Sequence, residues 1–358
     1  FRGWRRPDSS TAVSGIRRRN LSGSAFDGWE RLEDRLLLAN FSVPFVSHDI
    51  LTARSGDWYQ QAGSISVVNT VDVYTLTLPQ PAGVFIDIDA QDIGLSSLDS
   101  LVRVFSGGSQ VAMNDDGYDF ETIEPTAGPS RDSSIYVDLP SGTFDVRVSR
   151  FGFSTGDYLM RILFDTNYTS SVPVFNSLPG AADSVYLDFD GHSATDAWGT
   201  YSALPFNFGG GPANTFSPGE RLAIRNAWAT MAEDFSPFNI NVTTVPPASF
   251  ADGVAQRLVF TESPASIVDA GNAIGIAFHG SYASGGPSDQ VAWVFTGALG
   301  SFQAGSSEGL SGRVVAGGIE AGNTGSHEFG HALTLDHWAS SSGDAGGATV
   351  LPDAIMAT

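Results

Sequence analysis

The chain has 358 residues, 42% of them hydrophobic, with 39 acidic side chains against 18 basic ones and a net charge of −21. That length accommodates two cores, and an acid surplus this large excludes nucleic acid as a partner. There is no cysteine, which excludes disulfides and thiolate metal sites, and no apolar run of membrane-spanning length, so no membrane span is expected.

The charge is uneven. Residues 1–40 hold eight arginines and five acids, and every basic residue of the chain is arginine. The segment carries no helix-length apolar stretch, and composition predicts disorder for most of it. Within it, ERLEDRLLLA (Glu30–Ala39) resembles a short N-terminal motif of exported and cell-surface proteins of planctomycete bacteria. The resemblance implies a secreted or surface-attached bacterial protein. An amphipathic helix start is the plain alternative. The opening on Phe1 and the stop after Thr358 read as truncations.

From 41 to 167, short alternating runs separated by turn residues predict an all-β sandwich. The runs are VDVYTLTL (Val71–Leu78), GVFIDIDA (Gly83–Ala90), SLVRVFSG (Ser100–Gly107), SSIYVDLP (Ser133–Pro140), GTFDVRVSR (Gly142–Arg150) and GDYLMRILF (Gly156–Phe164). Their order, with MNDDGYD (Met113–Asp119), resembles a bacterial pre-peptidase C-terminal module. Such modules usually stand behind a peptidase, whereas this one occupies the first half of its chain. Asp87, Asp89, Asp92, Asn114, Asp115, Asp116 and Asp119 concentrate oxygen donors near strand ends. One reading is a stabilising calcium (Ca2+) site; the other is turn chemistry, because Asp and Asn side chains bond local backbone.

Residues 168–180 (YTSSVPVFNSLPG) read as a linker, and 181–358 as an α/β domain. SVYLDF (Ser184–Phe189) is its first strand. Ser217 as N-cap, Pro218 at the first helical position and Glu220 completing a capping box then announce a helix, whose apolar stripe is Ile224, Trp228, Met231 and Phe235. Four more strands are expected: NINVTT (Asn239–Thr244), RLVFTE (Arg257–Glu262), AIGIAF (Ala273–Phe278) and VAWVF (Val291–Phe295).

The chemistry concentrates in HEFGHALTLDH, His327 to His337. His327 and His331 stand four apart and share a helix face, where two imidazoles can grip one metal ion. Glu328 is placed to handle a proton rather than to bind the metal. His337 can return to the metal if the helix stops near Thr334 and the chain turns sharply. His192 and His279, each beside a glycine, read as loop packing or capping. Asp336 reads equally as a partner for a ligand imidazole or as a solvated helix-end carboxylate.

The spacing resembles the metzincin zinc signature, with Thr334 where that family has glycine, and Met356 in PDAIMAT resembles its methionine turn. The resemblance implies a twisted mixed sheet with an active-site helix, whose antiparallel edge strand (AIGIAF by order) pairs with extended substrate. It implies a Zn2+ ion on His327, His331 and His337, and peptide-bond hydrolysis through a zinc-bound water with Glu328 as general base. The substrate is then a protein or peptide. Two other classes stay open on the residues alone: a surface adhesion or matrix protein with an inactive or structural zinc site, and a non-proteolytic zinc hydrolase.

Overall fold

The computed structural model describes residues 40–118, 120, 131–208, 215–263, 273–284, 291–302 and 309–337, all within one compact unit. The export-type motif, Asp119 and Met356 lie outside the described residues.

The first half is a β-sandwich. Its strands are β1 (Asn40–Val43), β2 (Tyr59–Ile65), β3 (Val71–Leu78), β4 (Ala82–Asp89), β5 (Ser100–Ser106), β6 (Ser109–Asn114), β7 (Ser134–Leu139), β8 (Gly142–Arg150) and β9 (Gly156–Asp165). They form two sheets, ordered β1-β3-β8-β5-β6 and β2-β9-β4-β7. Alternation decides what faces inward: Phe144, Val146 and Val148 of β8 join Val84, Ile86 and Ile88 of β4 in the core between the sheets.

β4 is buried along its whole length because its second face is covered too. Phe85 on that face joins Tyr136 and Leu163 in a cluster with Leu222, Val314, Val315 and Ile319 from the second half of the chain. Contact there is close: a Cβ on Gly219 would stand 2.3 Å from the Tyr136 ring. Arg221, 4% exposed, crosses the same boundary to Asp49 at 2.8 Å and Asp165 at 3.3 Å. Residues 168–180 are tied down along the way, with Thr169 bridging to Phe216 and Asn176 to Thr243.

The second half contains β10 (Asp183–Asp188), β11 (His192–Asp196), β12 (Gly199–Ala203), α1 (Pro218–Asp234), β13 (Ile240–Thr243), β14 (Ala255–Thr261), β15 (Gly275–Ile276), β16 (Val291–Phe295), α2 (Gly309–Val314) and α3 (Ala316–Ala332). The sheet order is β13-β10-β14-β16-β15, parallel throughout except for β15 at the edge. AIGIAF therefore yields an antiparallel edge strand, but only two residues of it pair. One face of the sheet carries α1 and α3 over Leu187, Leu258, Ala292 and Val294. The β11–β12 hairpin brings Trp198 and Tyr201 to the other face, onto Val259 and Trp293.

The start of α1 follows from its sequence. Ser217 Oγ accepts the Glu220 N–H at 3.3 Å, and the Glu220 carboxylate accepts the Ser217 N–H at 2.8 Å, with Pro218 opening the helix. Such a cap stabilises by about 1 kcal/mol. Ile224 and Met231 are fully buried, while Trp228 is partly buried and donates its indole N–H to the Val242 carbonyl at 2.9 Å.

Glycine sets how close α3 comes to α1. A Cβ on Gly318 would meet the Ala223 carbonyl oxygen at 2.7 Å, and one on Gly322 would meet Thr230 Cβ at 2.7 Å. The helix that carries His327 and His331 is thereby fixed between α1, the sheet and the sandwich.

Candidate metal centre

His327 and His331 lie on the last turn and a half of α3, one helical turn apart, on the face the i, i+4 spacing requires. α3 ends at Leu333, and the chain reverses through a Schellman motif. The Thr334 N–H donates to the His331 carbonyl at 2.9 Å and the Leu335 N–H to the Gly330 carbonyl at 2.9 Å. Thr334 sits at φ 75°, the one non-glycine residue at positive φ among the described residues. The sharp stop anticipated near Thr334 is present, made by a β-branched residue in a conformation that favours glycine.

The turn delivers His337. The three imidazoles converge with Nε2–Nε2 separations of 3.1 Å (His327–His337), 3.1 Å (His327–His331) and 3.0 Å (His331–His337). Among the described residues this is the one group of three or more His, Cys, Asp or Glu side chains able to hold a metal ion. The tautomer of His331 is set by the fold. Its Nδ1 lies 2.9 Å from the Leu335 carbonyl oxygen, which only accepts, so Nδ1 carries the proton and Nε2 offers a lone pair toward the other two rings. The three contacts cannot all be hydrogen bonds at once, since no ring nitrogen offers both a proton and a lone pair, whereas all three nitrogens can donate to one shared cation.

Glu328 is 4% exposed, on the side of α3 facing the edge strand. Gly275 of β15 makes the room: a Cβ there would stand 2.6 Å from Glu328 Oε1. Burial pushes the Glu328 carboxyl up to about 8. A bound cation nearby favours the carboxylate and acts against that shift.

The remaining candidates disperse. Asp87 and Asp89, expected among calcium donors, lie along β4 facing Arg161. Its guanidinium holds Asp89 at 2.7 and 2.8 Å and reaches Asp87 at 3.5 Å. Asn114 accepts the Ser134 N–H at 3.1 Å. Asp115 and Asp116 follow β6, where their charges help burial to raise the Asp99 carboxyl. Asp87 and Asp89 thus serve a buried ion pair with Arg161, and no three of these acids share a site among the described residues. His192 opens β11 and stacks obliquely on Tyr201, and burial lowers its pKa to about 4. His279 and Asp336 face one another, Nε2 to Oδ1, at 3.3 Å, so the contact shown for Asp336 is with His279.

Sequence reasoning missed three contributors: Gly275, the Leu335 carbonyl and His279. Gly275 did carry a signal, because glycine inside a strand run marks close approach of a neighbour. A backbone carbonyl and a histidine at the end of a short strand carry none.

No protein-family model matches the chain, and a search of curated proteins gives no match. Among solved structures, the chain is similar to the pre-peptidase C-terminal domain of collagenase from Bacillus anthracis. That match has 10% identity and a TM-score of 0.24, covering 34% of this chain and 93% of that one. Among the described residues no helix is long and apolar enough to cross a membrane.

Proposed function

We propose that the chain is a secreted or cell-surface zinc endopeptidase of metzincin type, carrying its β-sandwich ahead of the hydrolytic half. The observation that carries this reading is the convergence of the His327, His331 and His337 Nε2 atoms beside the buried Glu328 carboxyl. Nitrogens about 2.0–2.1 Å from a tetrahedral zinc stand roughly 3.3–3.4 Å apart. The observed triangle is tighter by a few tenths of an ångström, and small rotations of three imidazoles open it. A structural zinc site closes with four protein donors, whereas three are present among the described residues, which favours a centre with an open position.

Zinc held there would supply Lewis acidity toward a carbonyl and acidify a water molecule. Glu328 takes the proton from the attacking water and returns it to the leaving amine, and its buried position next to Gly275 keeps bulk water from competing for it. Among the described residues β15 is the edge of the sheet beside Glu328, where an extended peptide can add as a further strand.

The test is a pair of variants assayed for zinc content and for casein hydrolysis. Glu328→Gln retains zinc and loses hydrolysis by at least about 100-fold, the range for removing a general base. His337→Ala loses zinc. Full activity in Glu328→Gln, or undiminished zinc in His337→Ala, overturns the reading.

A further inference from the structure

The third ligand is the least anchored of the three. His327 and His331 belong to a helix packed on two sides, but His337 is exposed, two residues beyond the Leu335–Gly330 hydrogen bond that ends the turn. A ligand on such an arm retains conformational freedom that binding must remove.

The residues from Phe278 to Tyr282, directly after β15, lie against this arm. Phe278 stacks on Trp198 with ring centroids 4.0 Å apart, and Tyr282 meets Phe329 edge-on at 5.8 Å, so both ends of the loop are fixed to the core. Between them the Gly280 N–H donates to the His331 carbonyl at 2.9 Å, and the Tyr282 N–H to the Ala332 carbonyl at 3.1 Å. The Tyr282 bond satisfies a carbonyl at the end of α3, and the Gly280 bond gives the His331 carbonyl a second donor beside the Thr334 N–H. Gly280 has φ 74°, and a Cβ there would stand 3.2 Å from Thr334 Cγ2, so the loop and the turn are in contact. At the outer end His279 Nε2 lies 3.3 Å from Asp336 Oδ1, one residue before His337.

We propose that this loop is a clamp on the third-ligand arm, and that His279 is a positioning residue for His337, acting through Asp336. The inference rests on the zinc reading above.

The pair is exposed, with side-chain exposures of 51% and 90%, and its effect is correspondingly modest. A polar contact at such exposure corresponds to a factor of up to about five in an equilibrium constant. The experiment measures zinc affinity of the full chain by chelator competition, and the absorption spectrum of the cobalt(II)-substituted protein, for His279→Ala, Asp336→Ala, the double variant and His279→Gln. The proposal expects each alanine variant to bind zinc roughly two- to five-fold more weakly, with a changed cobalt spectrum and an unchanged metal-free melting curve. It expects the double variant to be no worse than either single one, and His279→Gln, which keeps a donor, to recover most of the affinity. Unchanged affinity and spectrum in His279→Ala, or additive losses in the double variant, overturn the clamp while the zinc reading stands. An unaltered chain that binds no zinc overturns both.

Discussion

Leu335 donates its N–H to the carbonyl of Gly330 across a turn whose middle residue, Thr334, is held at φ 75°. Two backbone hydrogen bonds thus maintain a left-handed conformation in a residue whose branched Cβ opposes it, at a cost of about 1–2 kcal/mol. The direction of the chain toward His337 depends on that conformation.

Thr334→Gly relieves the strain but also gives the unfolded chain more freedom, which offsets about 0.4–1 kcal/mol of the gain. The expected outcome is a melting temperature equal to or above that of the unaltered protein, with zinc affinity undiminished. A lower melting temperature together with weaker zinc binding would show that the threonine side chain supports the turn in its own right.

Gly322→Ala tests the packing of α3. Alanine is favoured over glycine inside a helix by about 1 kcal/mol. Here the new Cβ would stand 2.7 Å from Thr230 Cβ and 2.8 Å from the Ala227 carbonyl oxygen, a backbone atom of α1 that cannot swing aside. Overpacking of this kind costs roughly 1–3 kcal/mol and outweighs the helix gain. Chemical denaturation should show a net loss of up to about 2 kcal/mol; a stabilised variant would mean that the two helices separate without penalty.

Stability should depend on pH through the pair Asp188 and Asp190. Asp188 is fully buried at the end of β10 beside Arg257. Burial first, and then the hydrogen bond that its protonated form donates to Asp190, push its carboxyl up to about 8, while Arg257 acts the other way. The folded state therefore keeps a proton that the unfolded chain releases near 3.8, so stability falls as pH rises from about 4 to about 8. Asp190→Asn removes one negative charge, lowers the Asp188 pKa and lessens that slope. The expected result is a gain on the order of 1 kcal/mol at pH 8 and none at pH 4, read from melts at both values. Parallel melting curves across this range would rule out the coupling.

Much of the fold is legible in the sequence where a signal is local. The Ser217, Pro218 and Glu220 box marks the start of α1, and the strands Val71–Leu78, Gly142–Arg150 and Val291–Phe295 fall where alternation or an apolar run places them. The strands missed are β1, β2, β6 and the β11–β12 hairpin. β1, β2 and β6 lie at sheet edges, and β2 alternates between half-buried and exposed positions until the buried Ile65 at its end, which leaves no apolar period to detect. The His331–Leu335 contact and the His279–Asp336 pair depend on where the chain returns in space, and the sequence offers no local trace of either.

Phe85, Tyr136 and Leu163 of the sandwich share their burial with Leu222, Val314 and Ile319, and Arg221 places its charge between Asp49 and Asp165 across the same boundary. Neither half can be withdrawn without exposing aromatic surface and stranding a guanidinium with two carboxylates. The chain is therefore expected to melt as a single calorimetric event, and cleavage within residues 168–180 is expected to leave two fragments that stay associated. A domain of this type exchanged from another protein would fail to fit unless it brought the Phe85 and Tyr136 face with it.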